Sequence, residues 1–462
     1  MSMCSKWLGS PPNSTDCFSV PPLMKVVLLA IALVWSPLRS SGQEVGANTT
    51  VKKPTSLADS IVQADGKPVR IFYVHGIGSD GHDDYDSWRL RKSICDFLKD
   101  CLTPAGELDP KVEYADQDDF AMNAPRPTLN YLGQPVWTSS EEWNASAPYV
   151  RHWKLKRNSP KEKTKPTIYV DEINWWPLTF ALKCRQIVKG DGALLGPSRE
   201  RIKMCSRRES ADVPGRFTWY NWISAEEAKD LLKLPTKGTV VNRNLKNGLL
   251  DWGVSDAIMA LGPLRPYLLE GIRQLVLKSV HGQTETDGGG ASSALVLDEE
   301  YVIVSHSLGS YLIFAALDVN PETNKTPTVE KSGNAFRQIL SHTSLVYFFA
   351  NQLRLLELAN LDGELGTTLV SHLEAWGDIR CNYQKALAGS AATCARPQIV
   401  ALNDPGDLLT WTVPELKAVD VRNQSVRNAT HWFWFIENPI KAHNNYESNK
   451  SAIAQMLKVS KR

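Results

Sequence analysis

Ser307 lies at the centre of Ser305-His306-Ser307-Leu308-Gly309, with the apolar run 301–304 before it and the apolar run 311–317 after it. A β-branched run, a knot of small residues and a run of helical character predict strand, sharp turn and helix. In a G-x-S-x-G turn the residues two before and two after the serine are small, because strand and helix backbones almost touch there. Those positions are Ser305, where glycine is usual, and Gly309. The turn lifts the Ser307 hydroxyl above the sheet and aims the first amides of the helix at whatever is bonded to it. Nucleophile and anion site arise together, which is the geometry of acyl transfer.

Three further segments carry matching chemistry. The apolar run 69–74 ends in His75-Gly76-Ile77-Gly78, and glycines at the C-terminal end of a strand let backbone amides turn inward as oxyanion donors. The apolar run 398–402 ends in Asn403-Asp404-Pro405-Gly406-Asp407, two carboxylates at a strand's C-terminal edge. His443 stands in segment 438–446, just before a last helix with Ile453, Met456 and Leu457 on one face. The loop His82-Asp83-Asp84 lacks the spacing of a metal-ligand set and reads as solvated, so neither a metal nor a cofactor is expected.

The elements that must position these groups are those of an alternating α/β chain. Strands are predicted at 69–74, 167–170, 301–304, 344–350 and 398–402, and Asp86-Ser87 caps a helix with Leu90, Ile94, Phe97 and Leu98 on one face. A helix follows Ser224, further helices span 242–278 with Gly262-Pro263 as punctuation, and no internal repeat is visible. Segment 107–250 is longer than a sheet requires between its first motif strand and Ser307. Part of it, with Ile168 to Glu172 and Trp175-Trp176, is expected to add a strand, and the rest to form a cap. Trp137, Trp143, Trp153, Trp219 and Trp222 suit an apolar wall there, a role that core packing fills equally well.

With 462 residues, 42% of them hydrophobic, the chain can bury a large core. A net charge of +2 argues against nucleic-acid binding, and the basic stretch 151–165 reads as solvated surface. Met24-Lys25, the apolar run 26–35 and the small residues Ser40, Ser41 and Gly42 follow the plan of a secretory signal. That run is too short to span a bilayer comfortably. The expected division is a leader over 1–42, a polar irregular linker over 43–65 and one domain over 66–462. Export to the exterior or periplasm is expected, with an uncleaved anchor as the alternative. Six cysteines remain after the leader, an even set suited to an oxidising compartment. Cys381 with Cys394 and Cys184 with Cys205 are the expected pairs. One helix running through both Cys95 and Cys101 would keep those two apart. Sequons occur at Asn144, Asn423 and Asn428.

On the residues 75–78, 305–309, 404–407 and His443, the chain resembles the α/β-hydrolase superfamily, in particular lipase-like or esterase-like members with a large insertion. The resemblance covers about 69–101 and 297–458. It implies an α/β-hydrolase fold: a mostly parallel central sheet flanked by helices, with a cap inserted between the first motif strand and the Ser307 turn. It implies the chain order serine, acid, histidine, with Ser307 as nucleophile, His443 as base and Asp407 as orienting acid, Asp404 being the alternative. Asp404 precedes Pro405 in turn chemistry, whereas Asp407 emerges after the turn and is better placed to reach back. Leu308 and Ile77 supply the oxyanion amides, Gly76 and Gly78 shaping the loop. His431 competes as base but sits in Trp432-Phe433-Trp434-Phe435, a strand pattern, and His306 should point away from Ser307. The implied activity is hydrolysis of carboxylic esters, with lipid acyl esters favoured. Peptidase or acyltransferase chemistry, or a non-catalytic binding protein on the same scaffold, are the alternatives.

Overall fold

The computed structural model describes residues 56–63, 67–76, 87–98, 113–115, 126–131, 133–155, 167–189, 198–206, 221–234, 246, 251, 253–281, 299–318, 327–358, 369–388, 394–428, 431–433, 436–437 and 439–457. The strands of its main sheet are β1 (Val69–Val74), β2 (Glu113–Ala115), β3 (Tyr149–Leu155), β4 (Ile168–Asn174), β5 (Glu300–His306), β6 (Thr343–Phe349), β7 (Gln398–Asn403) and β8 (Asp420–Ser425). They lie in the order β8-β7-β6-β5-β1-β4-β3-β2. The strands from β8 across to β4 pair in parallel, and β3 and β2 extend that edge antiparallel. The chain is thus of the α/β class.

The helices named below are α1 (Leu57–Gln63), α2 (Trp88–Leu98), α3 (Pro177–Leu182), α4 (Ala225–Lys233), α5 (Ser255–Leu261), α6 (Arg265–His281), α7 (Leu308–Ala316), α8 (Pro327–His342), α9 (Leu369–Ala388), α10 (Pro439–Asn444) and α11 (Lys450–Leu457). A central parallel strand is covered on both faces, so its sequence is mostly apolar, and the one charge in β1, Arg70, is paired with Asp171 at 2.6 Å and Glu299 at 2.8 Å. All six residues of β1 are buried. Alternation then deals them to two cores. Phe72 and Val74 join Ile303, Val346 and Phe348 on one face, and Ile71 and Tyr73 join Val302, Val304 and Leu345 on the other. Leu268 and Ile272 of α6, Leu312 of α7 and Trp376 of α9 close the first core. Leu57 of α1, Leu90 and Ile94 of α2 and Met456 of α11 close the second.

Segment 57–63 corrects the expected linker. It forms α1, with Leu57 and Ala58 fully buried and Ile61 nearly so, and the Leu57 amide donates to the Tyr347 hydroxyl at 2.9 Å. Its apolar residues are few, yet they recur at helical spacing, Leu57 and Ile61 one turn apart. The expected leader, residues 1–42, lies outside the described residues. Among the described residues no helix is long and apolar enough to cross a membrane.

Within 107–250, the expected strand is β4, and β3 and β2 join it in the main sheet. The helix after Ser224 is α4, closed by a capping box in which Ser224 and Glu227 exchange side-chain and backbone bonds. Trp137, Trp143 and Trp222 are buried in the first core, Trp137 and Trp143 meet edge to face at 4.8 Å, and Trp153 lies under the Arg91 guanidinium. Trp219 lies outside the described residues.

Two disulfides join the expected partners, Cys184 to Cys205 and Cys381 to Cys394. Cys95 is also disulfide-bonded. Cys95 lies in α2, which ends at Leu98, and Cys101 lies outside the described residues. The Cys381–Cys394 bond ties the end of α9 to the entry of β7 across a separation of 13 residues. Replacing both cysteines by serine is expected to lower stability by about 3 kcal/mol on the chain-entropy account. The shift in denaturant midpoint at constant slope measures it.

Candidate active site

The turn between β5 and α7 has the strained geometry its residue types predict. Ser307 has φ 53° and ψ −124°, a conformation rare for a residue with a side chain. Its amide donates to the Phe349 carbonyl at 2.7 Å, fastening the turn to β6. A Cβ at Gly309 would lie 2.5 Å from the carbonyl oxygens of both Val74 and His75, so only glycine lets α7 start this close to β1. A Cβ at Gly76 would sit 2.7 Å from the Ser307 Cβ, so the same holds for Gly76. Ser305 fits where glycine is usual because its hydroxyl finds partners, donating to Ser310 Oγ at 3.0 Å. Helix α7 is buried along its length, and its C-terminal carbonyls are satisfied by Arg273, whose Nε donates to the Ala316 carbonyl at 2.6 Å.

Ser307, His443 and Asp407 meet in line. His443 Nε2 lies 2.9 Å from Ser307 Oγ, and His443 Nδ1 lies 3.0 Å from each oxygen of Asp407. The carboxylate accepts at Nδ1, so that nitrogen carries the proton and Nε2 turns its lone pair to the serine hydroxyl. All three residues are buried. Asp407 is itself held, Oδ1 accepting from the Leu409 amide at 2.8 Å and Oδ2 from the Tyr446 hydroxyl at 3.3 Å.

Asp404 does something different. Its Oδ1 accepts from the Gly406 amide at 2.8 Å, its Oδ2 accepts from the Asn428 amide, and its own amide donates to the Tyr446 hydroxyl at 2.7 Å. It shapes the turn that presents Asp407. Among the other expected residues, Leu308 is the first residue of α7, where an amide has no partner within its helix. Gly76 packs on Ser307. Ile77 and Gly78 lie outside the described residues, as does His82-Asp83-Asp84. His431 falls in a short strand, His431–Phe433, as its sequence pattern suggests.

His75 is held against Trp175. Its ring stacks on Trp175 at 5.0 Å, its carbonyl accepts from the Trp175 indole at 3.1 Å, and its Nδ1 donates to the Gly76 carbonyl at 2.9 Å. Burial pulls its pKa down to about 4, so it is a neutral strut at neutral pH.

Residues without a motif complete the support. Asn351 is fully buried and donates through Nδ2 to Asn403 Oδ1 at 3.3 Å and to the Trp411 carbonyl, tying the end of β6 to the loop that carries Asp407. Tyr446 links Asp404 with Asp407, and Asn428 donates through Nδ2 to the Ala442 carbonyl at 2.8 Å, beside His443. Sequence offers only faint signals for these: an Asn-Gln pair ending an apolar strand, and a tyrosine three residues after a histidine.

No family model, curated protein or solved structure matches the chain.

Proposed function

We propose that this chain is a serine hydrolase of the α/β-hydrolase type, cleaving carboxylic esters through an acyl-enzyme. The observation that carries this reading is the line Ser307 Oγ, His443 Nε2, His443 Nδ1, Asp407, closed by contacts of 2.9 and 3.0 Å. In the proposed reaction Ser307 Oγ attacks the ester carbonyl carbon while His443 takes its proton, and Asp407 stabilises the imidazolium that forms. The oxyanion is held by the Leu308 amide and, from the glycine loop, by Ile77. Collapse expels the alcohol, which receives the proton from His443. Water, deprotonated by the same histidine, then attacks the acyl carbonyl, the acyl–Oγ bond breaks, and Ser307 Oγ takes back the proton from His443 as the acid leaves. No cofactor or metal is assigned a role.

Segment 107–250, apart from the strands it gives the sheet, is proposed as the cap in which substrate choice resides. Short as well as long acyl groups are candidates. Export behind a leader over 1–42 is proposed too, supported by the disulfides. Hydrolysis of p-nitrophenyl esters of graded acyl length by the purified full chain tests the reading. Turnover of some member of the series supports it, with the best chain length defining the acyl site. No turnover across the series, together with saturable binding of an ester, would indicate a binding protein on this scaffold.

A further inference from the structure

A buried ionisable pair lies directly behind the base and takes no part in the relay. His306, the last residue of β5, turns away from Ser307 and sets its ring 5.3 Å from that of His443 and 5.8 Å from that of Tyr446. Its Nδ1 lies 3.1 Å from Glu447 Oε1, and its Nε2 lies 2.8 Å from the main-chain carbonyl oxygen of His443. Both partners are acceptors only, so satisfying both requires a proton on each ring nitrogen. The pair is therefore an imidazolium against a carboxylate. The Tyr73 hydroxyl donates to the same Glu447 oxygen at 3.0 Å.

We propose that His306, kept as an imidazolium by Glu447, is a positioning residue that fixes the backbone of His443, so that the reaction slows in alkali when His306 loses its second proton. The inference depends on the assignment of Ser307 and His443 made above. When His306 is neutral its remaining proton stays on Nδ1, where the bond to a charged carboxylate is the stronger. Nε2 then turns a lone pair on the His443 carbonyl, and a bond becomes a repulsion. The helix carrying His443 has only six residues. A displacement of about 1 Å in a reacting group can cost about 10²-fold in rate.

The groups facing His306 are Glu447, Tyr446 and His443 on the segment after β8, Asp407 after β7, Tyr73 on β1 and His75 just beyond it. Burial alone would make His306 neutral, but the charge and hydrogen bond of Glu447, the His443 carbonyl and Asp407 outweigh it and hold its pKa above the ordinary 6.5. Burial pushes Glu447 up, and His306 with the Tyr73 hydroxyl more than offset this, holding it below the ordinary 4.5. The raised histidine contributes stability fully present below 6.5 and lost as pH rises through its folded value. The depressed glutamate contributes stability present above 4.5 and lost as pH falls through its own. Between those limits the pair is charged and His443 is held.

The test is the second-order rate of covalent labelling by a fluorophosphonate across pH, for the wild-type full chain, Glu447→Gln and His306→Ala. Thermal midpoints at each pH show that every protein is folded. In the wild type the rate is expected to fall on an alkaline limb as His306 loses its second proton. In Glu447→Gln the amide donates to Nδ1, neutral His306 keeps its proton on Nε2, and the alkaline limb disappears. His306→Ala is expected to label about 10–100-fold more slowly near neutrality, with no alkaline limb. A wild type without the limb, or the same limb in Glu447→Gln, overturns the inference while the hydrolase assignment stands. Absence of labelling in the folded wild type at every pH overturns both.

Discussion

Ser307→Ala is expected to lose about 10⁶-fold in kcat on the best ester of the graded series, by analogy with removal of the nucleophile from a serine protease. The loss is that large because the covalent step has no substitute. His443 cannot activate a side chain that lacks a proton to give, and what remains is binding plus the oxyanion amides, about 10³–10⁴-fold over water. Fold is unaffected at this position, since the backbone bond from Ser307 to the Phe349 carbonyl survives the change. A second variant separates chemistry from strain. Ser307 adopts φ 53°, and holding a side chain in such a region costs about 1–3 kcal/mol. Ser307→Gly should therefore be as inactive as Ser307→Ala yet melt at a higher temperature. A higher midpoint for the alanine variant would show that the turn is not strained.

The second large effect distinguishes the two carboxylates. Asp407→Asn is expected to lose about 10⁴-fold in kcat, because asparagine presents an N–H to His443 Nδ1 and favours the tautomer whose Nε2 carries the proton. That tautomer cannot accept from Ser307. Asp404→Asn keeps one acceptor for the Gly406 and Asn428 amides and loses the other, at a cost of about 1–3 kcal/mol. Its deficit should appear in the thermal midpoint. A large kcat loss confined to Asp404→Asn would reverse the two roles.

The contrast between these aspartates was legible from local chemistry, since Asp-Pro-Gly is a turn and a carboxylate beyond it is free to reach. The Ser307 turn was legible for the same reason: small residues at fixed offsets between a β-branched run and an apolar helix have few other uses. What sequence could not place is what depends on contacts far apart in the chain. His306 and Glu447 belong to distant segments, and their bond at 3.1 Å follows only from where β5 and the turn after α10 come to lie. Asn351, Tyr446 and Asn428 are polar residues of ordinary type whose value comes from the carbonyls and carboxylates they meet. Helix α1 was hidden because its apolar residues are few and follow a polar stretch, and the Leu57–Ile61 spacing gives a weak period on its own. Trp137, Trp143 and Trp222 suit a wall by composition and sit in a core, and composition does not tell the two apart.

The central claim is that Ser307 is a nucleophile activated by His443. Its most direct test is fluorophosphonate labelling of the full chain followed by peptide mapping of the adduct. The account predicts one adduct, on Ser307, in the wild type and none in Ser307→Ala. An adduct that maps to another residue, or labelling undiminished in Ser307→Ala, would contradict it.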